Sequence, residues 1–166
     1  GLNATAKTMI GDAKWYIGGT GDMTSSSNGL ASHYYKNERG TTVYSGRSAN
    51  WTGKVGLMYP SDYGYATSGG SSKNRASCMA KELWSWTDGG YSDCPYNDWL
   101  YNLSENQWTM SSRADSSRNV FYVNYPGQVA DNGADTITAI RPVVHLKSTI
   151  KVISGSGTAS SPFILG

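Results

Sequence analysis

The sequence predicts an α+β fold with two short helices and mostly antiparallel strands. Apolar residues recur at helical spacing only within residues 1–103. The rest of the chain contains short strand-like stretches, separated by clusters of Gly, Asn, Asp or Pro. A length of 166 residues fits one domain, and helices followed by a run of strands are typical of the α+β class.

The N-terminal segment, residues 2–12, predicts a helix. Asn3 is a suitable N-cap, and apolar residues follow it at roughly helical spacing up to Ile10. The segment is either a short helix or the last turns of a longer one. We therefore divide the chain into residues 1–12, the end of an N-terminal helix, and residues 13–166, a single domain.

The middle of the chain predicts strands, a loop and further helical turns. Strands are expected at residues 14–17, 41–45 and 54–59. Residues 20–32 have the composition of a loop, and residues 60–62 that of a turn. The second helix is expected at residues 73–86, where apolar residues share one helical face. A further short helix, capped by Asp98, is expected at residues 98–103.

The last third of the chain predicts strands. They are expected at residues 107–110, 119–124, 127–130, 139–146, 150–153 and 162–165. Pro142 lies inside the fourth of these, and proline cannot donate a ladder hydrogen bond. That point is therefore expected to be a bulge or an edge.

Composition and charge exclude several classes of function. The chain has 12 Tyr and 6 Trp but only 2 Phe, and 16% of its residues are charged, which is typical of an extracellular, turn-rich protein. Its net charge is +2, with no run of basic residues, so no nucleic-acid partner is expected. No stretch is apolar for long enough to span a membrane.

The two cysteines, Cys78 and Cys94, predict a disulfide bond. They are 16 residues apart, and neither histidine lies near them in the sequence. A zinc site favours closely spaced cysteine pairs, and a thiol redox motif favours two intervening residues. A structural disulfide fits the extracellular composition better than either alternative.

No sequence motif indicates an enzyme. The nucleophile-elbow, zinc-protease, dinucleotide and phosphate-loop patterns are absent, and most acidic residues lie in turn-forming stretches. His145 alternates with apolar residues and is expected to face outward from a strand. A glycosidase-like pair such as Glu82 with Asp98 stays open, because such partners meet only in the fold. No cofactor and no metal are expected, since no calcium loop is present.

Aromatic and polar residues in the loops are typical of a binding surface. Trp108, Tyr122 and Tyr125 lie near Arg113 and Arg118, among stretches rich in Ser, Asn and Asp. Tyrosine gives contact area at low entropic cost, and small polar residues adapt their hydrogen bonds. The alternative for each single aromatic residue is a place in the core.

Several segments resemble an uncharacterised domain family of gut Firmicutes surface proteins. They are residues 15–19, 51–66, 97–102, 108–111, 140–148 and 154–158, of which the second reads WTGKVGLMYPSDYGYA. Members of that family often carry the hydrophobic N-terminal helix of type IV pilins upstream. The resemblance implies that residues 2–12 are the last turns of such a helix, and that any membrane contact would be made through it.

The closing strands, with Arg141-Pro142-Val143-Val144 and variable polar loops before them, also resemble C-type-lectin-like and formylglycine-generating-enzyme-like domains. The resemblance implies that the ligand is bound by the segment before the last strands, residues 111–138. The candidates there are Arg113, Arg118, Asn119, Tyr125, Asp131, Asn132 and Asp135. The calcium-binding Glu-Pro-Asn tripeptide of sugar-binding lectins is absent, and no cysteine follows Cys94, where formylglycine-generating enzymes carry a reactive pair.

The leading hypothesis is a non-catalytic binding module, an adhesin or pilin-like subunit at the cell surface or outside the cell. Its partner would be a protein or a glycan, together with other pilus subunits. One alternative is a purely structural pilus subunit that binds only its neighbours. A further alternative is a hydrolase of cell walls or glycans. The fold class does not decide among them.

Overall fold

The computed structural model describes residues 2–21, 28–102 and 104–166, and it confirms the α+β class. The expectation of two helices was wrong, because five short α-helices form in this part of the chain. They are α1 (Ala4–Met9), α2 (Ala31–Glu38), α3 (Pro60–Ala66), α4 (Arg75–Met79) and α5 (Asp93–Tyr96). None of the described helices has the length and apolar composition that crossing a bilayer requires.

Short antiparallel strands make up the β part of the described chain. They are β1 (Ala13–Tyr16), β2 (Asn50–Gly53), β3 (Val55–Leu57), β4 (Gln107–Ser112), β5 (Asn119–Val123), β6 (Val129–Gly133), β7 (Pro142–Val144), β8 (Val152–Ser154) and β9 (Ile164–Leu165). β4, β5 and β6 form a three-stranded sheet in that order, while β1 pairs with β2, β3 with β7 and β8 with β9. The strands expected after residue 106 are confirmed, with their ends shifted by a few residues.

The N-terminal helix forms as expected, and it leads directly into the domain. The side chain of Asn3 caps α1 by accepting a hydrogen bond from the Ala6 N–H at 2.8 Å. Ile10 then bridges to Leu146, and the Gly11 N–H donates to the His145 carbonyl at 2.9 Å. These contacts tie the residues after α1 to the segment after β7.

Residues 60–62 begin a helix and do not form an isolated turn. Pro60 occupies the first position of α3, where its fixed φ suits a helix and its missing N–H is not needed. The carboxylate of Asp62 reaches back and accepts a hydrogen bond from the Tyr59 N–H at 3.0 Å. The residues that suggested a turn are thus the start signals of α3.

The helix expected at residues 73–86 is interrupted. α4 ends at Met79, and a 3₁₀ turn, Leu83–Ser85, follows. The Leu83 N–H donates to the Gly29 carbonyl at 2.8 Å, so a bond to another part of the chain replaces the next helical one. Packing between segments therefore overrides the helical spacing.

Two other local expectations were also wrong, and a third needs a shorter range. Residues 41–45 form a loop, because β1 pairs with β2 and leaves them no ladder partner. The loop expected at residues 20–32 is confirmed at residues 20–21 and 28–30, but α2 already begins at Ala31, and residues 22–27 lie outside the described part. The helix expected at residues 98–103 does not form at residues 98–102, because the Asp98 side chain closes a turn by accepting the Leu100 N–H at 2.8 Å; residue 103 lies outside the described part.

The core joins the helices to the three-stranded sheet. Tyr63 of α3 and Trp86 are fully buried, with ring centroids 5.2 Å apart. Tyr34 of α2 meets Phe121 of β5 edge to face at 5.4 Å. The predicted disulfide between Cys78 and Cys94 is confirmed, and both cysteines belong to this core. It fixes α4 to α5.

Candidate functional site

The seven residues predicted to contact a ligand lie at two ends of the β5–β6 hairpin. Asn119 begins β5 beside the end of β6, whereas Tyr125 lies in the turn beyond Val123. The four strand steps from Asn119 to Val123 span about 13 Å. The six residues at the first end are Arg113, Arg118, Asn119, Asp131, Asn132 and Asp135. Tyr125 does not share their face, and ligand binding by any of the seven stays a prediction.

Most of the polar residues at the first end bind one another, whereas the Asn132 side chain accepts the N–H of Gly133 at 2.8 Å. Arg113 makes two hydrogen bonds of 2.8 Å to the carboxylate of Asp115 and lies 3.4 Å from the carboxylate of Asp131. The Asn119 amide donates to Asp131 at 2.6 Å. Arg118 pairs with Asp135 at 3.2 Å, and both of these side chains are exposed. We call this set the ion-pair face; its members are Arg113, Asp115, Arg118, Asn119, Asp131, Asn132 and Asp135.

The charges of the ion-pair face are largely used inside the protein. The hydrogen bonds to Asp115 raise the pKa of Arg113, and they hold the pKa of the Asp115 carboxyl below its usual range. A ligand would have to compete with these bonds. Only the Arg118–Asp135 pair is exposed enough to be replaced by contacts with a ligand at little cost in stability, because exposed ion pairs contribute little to stability.

Tyr125 belongs to a separate cleft of about 290 Å³. The cleft is lined by Thr87, Tyr96, Tyr101, Tyr125 and Pro126. The Tyr101 hydroxyl donates to the Tyr125 carbonyl, and the rings of Tyr96 and Tyr101 lie 6.0 Å apart. This tyrosine cleft offers aromatic surface, but it contains no charged side chain that could select a ligand.

A larger cleft, of about 380 Å³, lies between α3, β7 and the turn that follows α5. We call it the Trp99 cleft. Its lining residues are Met58, Asp62, Tyr65, Ala66, Trp99, Leu100 and Val143. Trp99 is 77% exposed and Tyr65 is 38% exposed, so two aromatic rings meet solvent at one apolar cleft. Asp62 is the charged residue among them.

The turn that carries Trp99 is held on both sides by hydrogen bonds. The buried Asp98 carboxylate accepts the Leu100 N–H, and the Arg141 guanidinium donates to the Leu100 carbonyl at 2.7 Å. On the other side, the Ser68 N–H donates to the Asn97 carbonyl at 3.0 Å. The backbone around Trp99 is therefore fixed while its indole ring projects outward. A fixed backbone reduces the entropy that this turn would lose if a partner bound the ring.

Asp98 is an unusual residue to find beneath this turn. It is 6% exposed, and its second carboxylate oxygen, Oδ2, has no hydrogen-bond partner within the described residues. Burial raises the pKa of the Asp98 carboxyl to about 7, while the Leu100 hydrogen bond and the Arg141 charge act in the opposite direction. The carboxyl group is thus poised between its two protonation states near neutral pH.

Glu38 is a second buried carboxyl group, and it joins α2 to α3. Its oxygens accept hydrogen bonds from the Ser61 N–H at 3.0 Å and from the Ser61 hydroxyl, and Arg39 lies 3.1 Å away. Burial raises the pKa of Glu38 to about 7 despite these donors. Because its partners belong to the first turn of α3, we interpret Glu38 as a structural link between the helices.

The two buried carboxyl groups lie outside both clefts. Raised pKa values often mark catalytic acids and bases, but neither Glu38 nor Asp98 lines a cleft described above. Among residues 2–21, 28–102 and 104–166, no group of three or more His, Cys, Asp or Glu could hold a metal ion. The expected absence of enzymatic activity stays a prediction.

The sequence did not identify the Trp99 cleft. Trp99 stands in a short stretch of mixed polar and aromatic residues, where the sequence does not distinguish a core position from an exposed one. One signal in the sequence could have indicated part of this cleft. Pro60 followed by Asp62 is typical of a helix start, and the helix that begins there carries Tyr65. Comparison with known protein families, with curated proteins and with solved structures finds no match to this chain.

Proposed function

We propose that this protein is a non-catalytic binding module that contacts a protein or glycan ligand through the Trp99 cleft. The observation that carries the proposal is the exposed indole of Trp99 on a fixed turn. Tryptophan and tyrosine are enriched among the residues that dominate binding energy, and ligand sites are concave, mostly apolar and supplied with few polar groups. The Trp99 cleft has this composition.

We also propose where this protein is located and which type of α+β fold it has. We place the module at the cell surface or outside the cell, because structural disulfides such as Cys78–Cys94 persist in oxidising compartments. We also propose that its α+β fold is C-type-lectin-like. The late antiparallel strands and the polar segment before them, residues 111–138, support that assignment.

Attachment of two tryptophan variants tests the proposal. The Trp99→Ala variant should bind immobilised host epithelial cells or arrayed glycans about 10-fold or more weakly, as expected for a central contact residue. Trp51→Ala is the matched control, because Trp51 is 46% exposed on β2 and does not line the cleft. Both variants should keep nearly the parental melting temperature. Equal attachment by the two variants would contradict the proposal.

A second candidate function is a structural subunit that packs on its neighbours. The hairpin of β8 and β9 favours it, because four of its apolar side chains are more than half exposed. They are Val152 (57%), Ile153 (67%), Phe163 (55%) and Ile164 (57%). Exposed apolar patches often mark contacts between proteins. Self-association in sedimentation experiments, abolished by removing residues 149–166, would favour this candidate.

A further inference from the structure

Resting on the proposed function, we infer that the Trp99 cleft receives a cationic side chain, lysine or arginine, of a protein partner. The inference concerns the chemistry of the ligand. It depends on three features of the cleft: a carboxylate at its wall, two exposed aromatic rings, and an apolar floor.

Asp62 supplies the negative charge. Its side chain is exposed, and one oxygen is held by the Tyr59 N–H at 3.0 Å. Within the described part of the chain, the other oxygen has no hydrogen-bond partner. The carboxylate is thus fixed in position and still able to accept a bond from an incoming ammonium or guanidinium group, and charge-assisted bonds of this kind are among the stronger ones.

The aromatic rings of Trp99 and Tyr65 supply a second attraction for a cation. The face of an indole ring attracts cations more strongly than that of tyrosine or phenylalanine. Elsewhere in the chain, cations of the protein itself lie over tyrosine rings, as Arg39 does over Tyr35 at 3.6 Å and Lys73 over Tyr91 at 4.7 Å. Among the described residues, no cation lies over Trp99.

The floor of the cleft suits the stem of a long side chain. Met58, Leu100 and Val143 are apolar, and lysine and arginine bury their methylene groups along such surface while the charged end reaches a polar partner. The hydroxyls of a neutral glycan would give Asp62 only uncharged donors, which bind a carboxylate more weakly than an ammonium or guanidinium group does. The observations therefore favour a protein partner.

The charges around the cleft leave Asp62 available. Arg141 lies beside the turn, where it donates to the Leu100 carbonyl and faces the buried Asp98. Arg39 is engaged by Glu38 at 3.1 Å and by the ring of Tyr35. Neither guanidinium forms an ion pair with Asp62 within the described residues, so the carboxylate can serve an external cation.

Two peptides test the inference directly. The tripeptide amide acetyl-Gly-Lys-Gly and its analogue with norleucine in place of lysine are titrated into the intact domain, and the Trp99 indole N–H resonance is followed by NMR. The norleucine side chain has the same carbon stem without the ammonium group. The lysine peptide should bind at least about three-fold more tightly, as expected for a cation over an exposed ring.

Matched variants separate the contributions. Asp62→Asn keeps the acceptor for the Tyr59 N–H but removes the charge, so it should abolish most of the preference for lysine. Asp135→Asn removes a charge from the ion-pair face and should leave the preference unchanged. Equal binding of the two peptides, no shift of Trp99 with lysine, or no effect of Asp62→Asn would overturn the inference.

The two proposals fail in different ways. If Trp99→Ala abolishes attachment but the lysine peptide does not shift the Trp99 indole, the cationic ligand is wrong and the binding module stands. A neutral glycan that shifts Trp99, where the lysine peptide does not, leads to the same conclusion. If Trp99→Ala leaves attachment intact, the proposed function itself is wrong.

Discussion

Asp98 and Trp99 are neighbours in the chain with opposite surroundings. The Asp98 carboxyl is 6% exposed beneath the turn, and the Trp99 indole is 77% exposed above it. The buried side chain closes the turn by its hydrogen bond with the Leu100 N–H. A buried carboxyl group with one unpartnered oxygen is destabilising, whereas an exposed indole contributes little to the core. Asp98 thus holds the turn while Trp99 is exposed on it, and the proposed binding role rests on this arrangement.

The stability of the domain should depend on the protonation of Asp98. Its pKa is raised to about 7 in the folded state, above the usual value of about 4 in the unfolded chain. Between these values the folded state binds more protons, so this group's contribution to the free energy of unfolding falls as pH rises. The slope is up to about 1.4 kcal/mol per pH unit, and the contribution levels off above the folded pKa.

Urea denaturation at pH 5, 6 and 7 measures this effect. The Asp98→Asn variant keeps an acceptor for the Leu100 N–H but cannot titrate, so its free energy of unfolding should fall less steeply over this range. The difference between parent and variant isolates Asp98 from Glu38, whose pKa is also raised to about 7. Parallel profiles for the two proteins would show that Asp98 is not the titrating group.

The disulfide should contribute substantially to stability. Closing a loop of 16 residues stabilises a fold by about 3 kcal/mol in the chain-entropy model. The free energy of unfolding of the double variant Cys78→Ala, Cys94→Ala should therefore be lower by about 3 kcal/mol, and its urea midpoint should be lower as well. As a control, a reducing agent should destabilise the parent and leave the double variant unchanged. A parent that is insensitive to reduction would contradict this prediction.

The C-terminal hairpin should be dispensable for folding. All residues of β8 are exposed, and an isolated two-stranded hairpin is at best marginally stable. Deleting residues 149–166 keeps the hydrogen bond from Lys147 to the Met9 carbonyl and should change the free energy of unfolding by less than about 0.5 kcal/mol.

A core substitution provides the contrast for that deletion. Ile10 is 5% exposed and bridges to Leu146, so Ile10→Ala should destabilise the domain by about 2 kcal/mol or more. Thermal and urea unfolding of both variants measure the difference. A large loss on deletion would show that the hairpin packs on the domain.

The sequence predicted the elements whose pattern is local. The alternation in β4 and β5 and the Asn3 cap of α1 are visible without knowledge of the fold. The break between α4 and Leu83 could not be predicted in this way, because it depends on a hydrogen bond from Leu83 to Gly29. The pairing of Arg113 with Asp131 and the outward direction of Trp99 are likewise set by tertiary contacts. A binding site built from α3, β7 and a turn therefore could not be identified from spacing.

Oxidative footprinting of the attached domain tests the central claim most directly. Hydroxyl radicals modify exposed tryptophan, and mass spectrometry reports the modification of each residue. Attachment to the ligand surface should protect Trp99 several-fold, while Trp51 and the Arg118–Asp135 pair react as in the free protein. Unchanged oxidation of Trp99, together with protection of residues 113–119, would place the ligand on the ion-pair face and contradict the account.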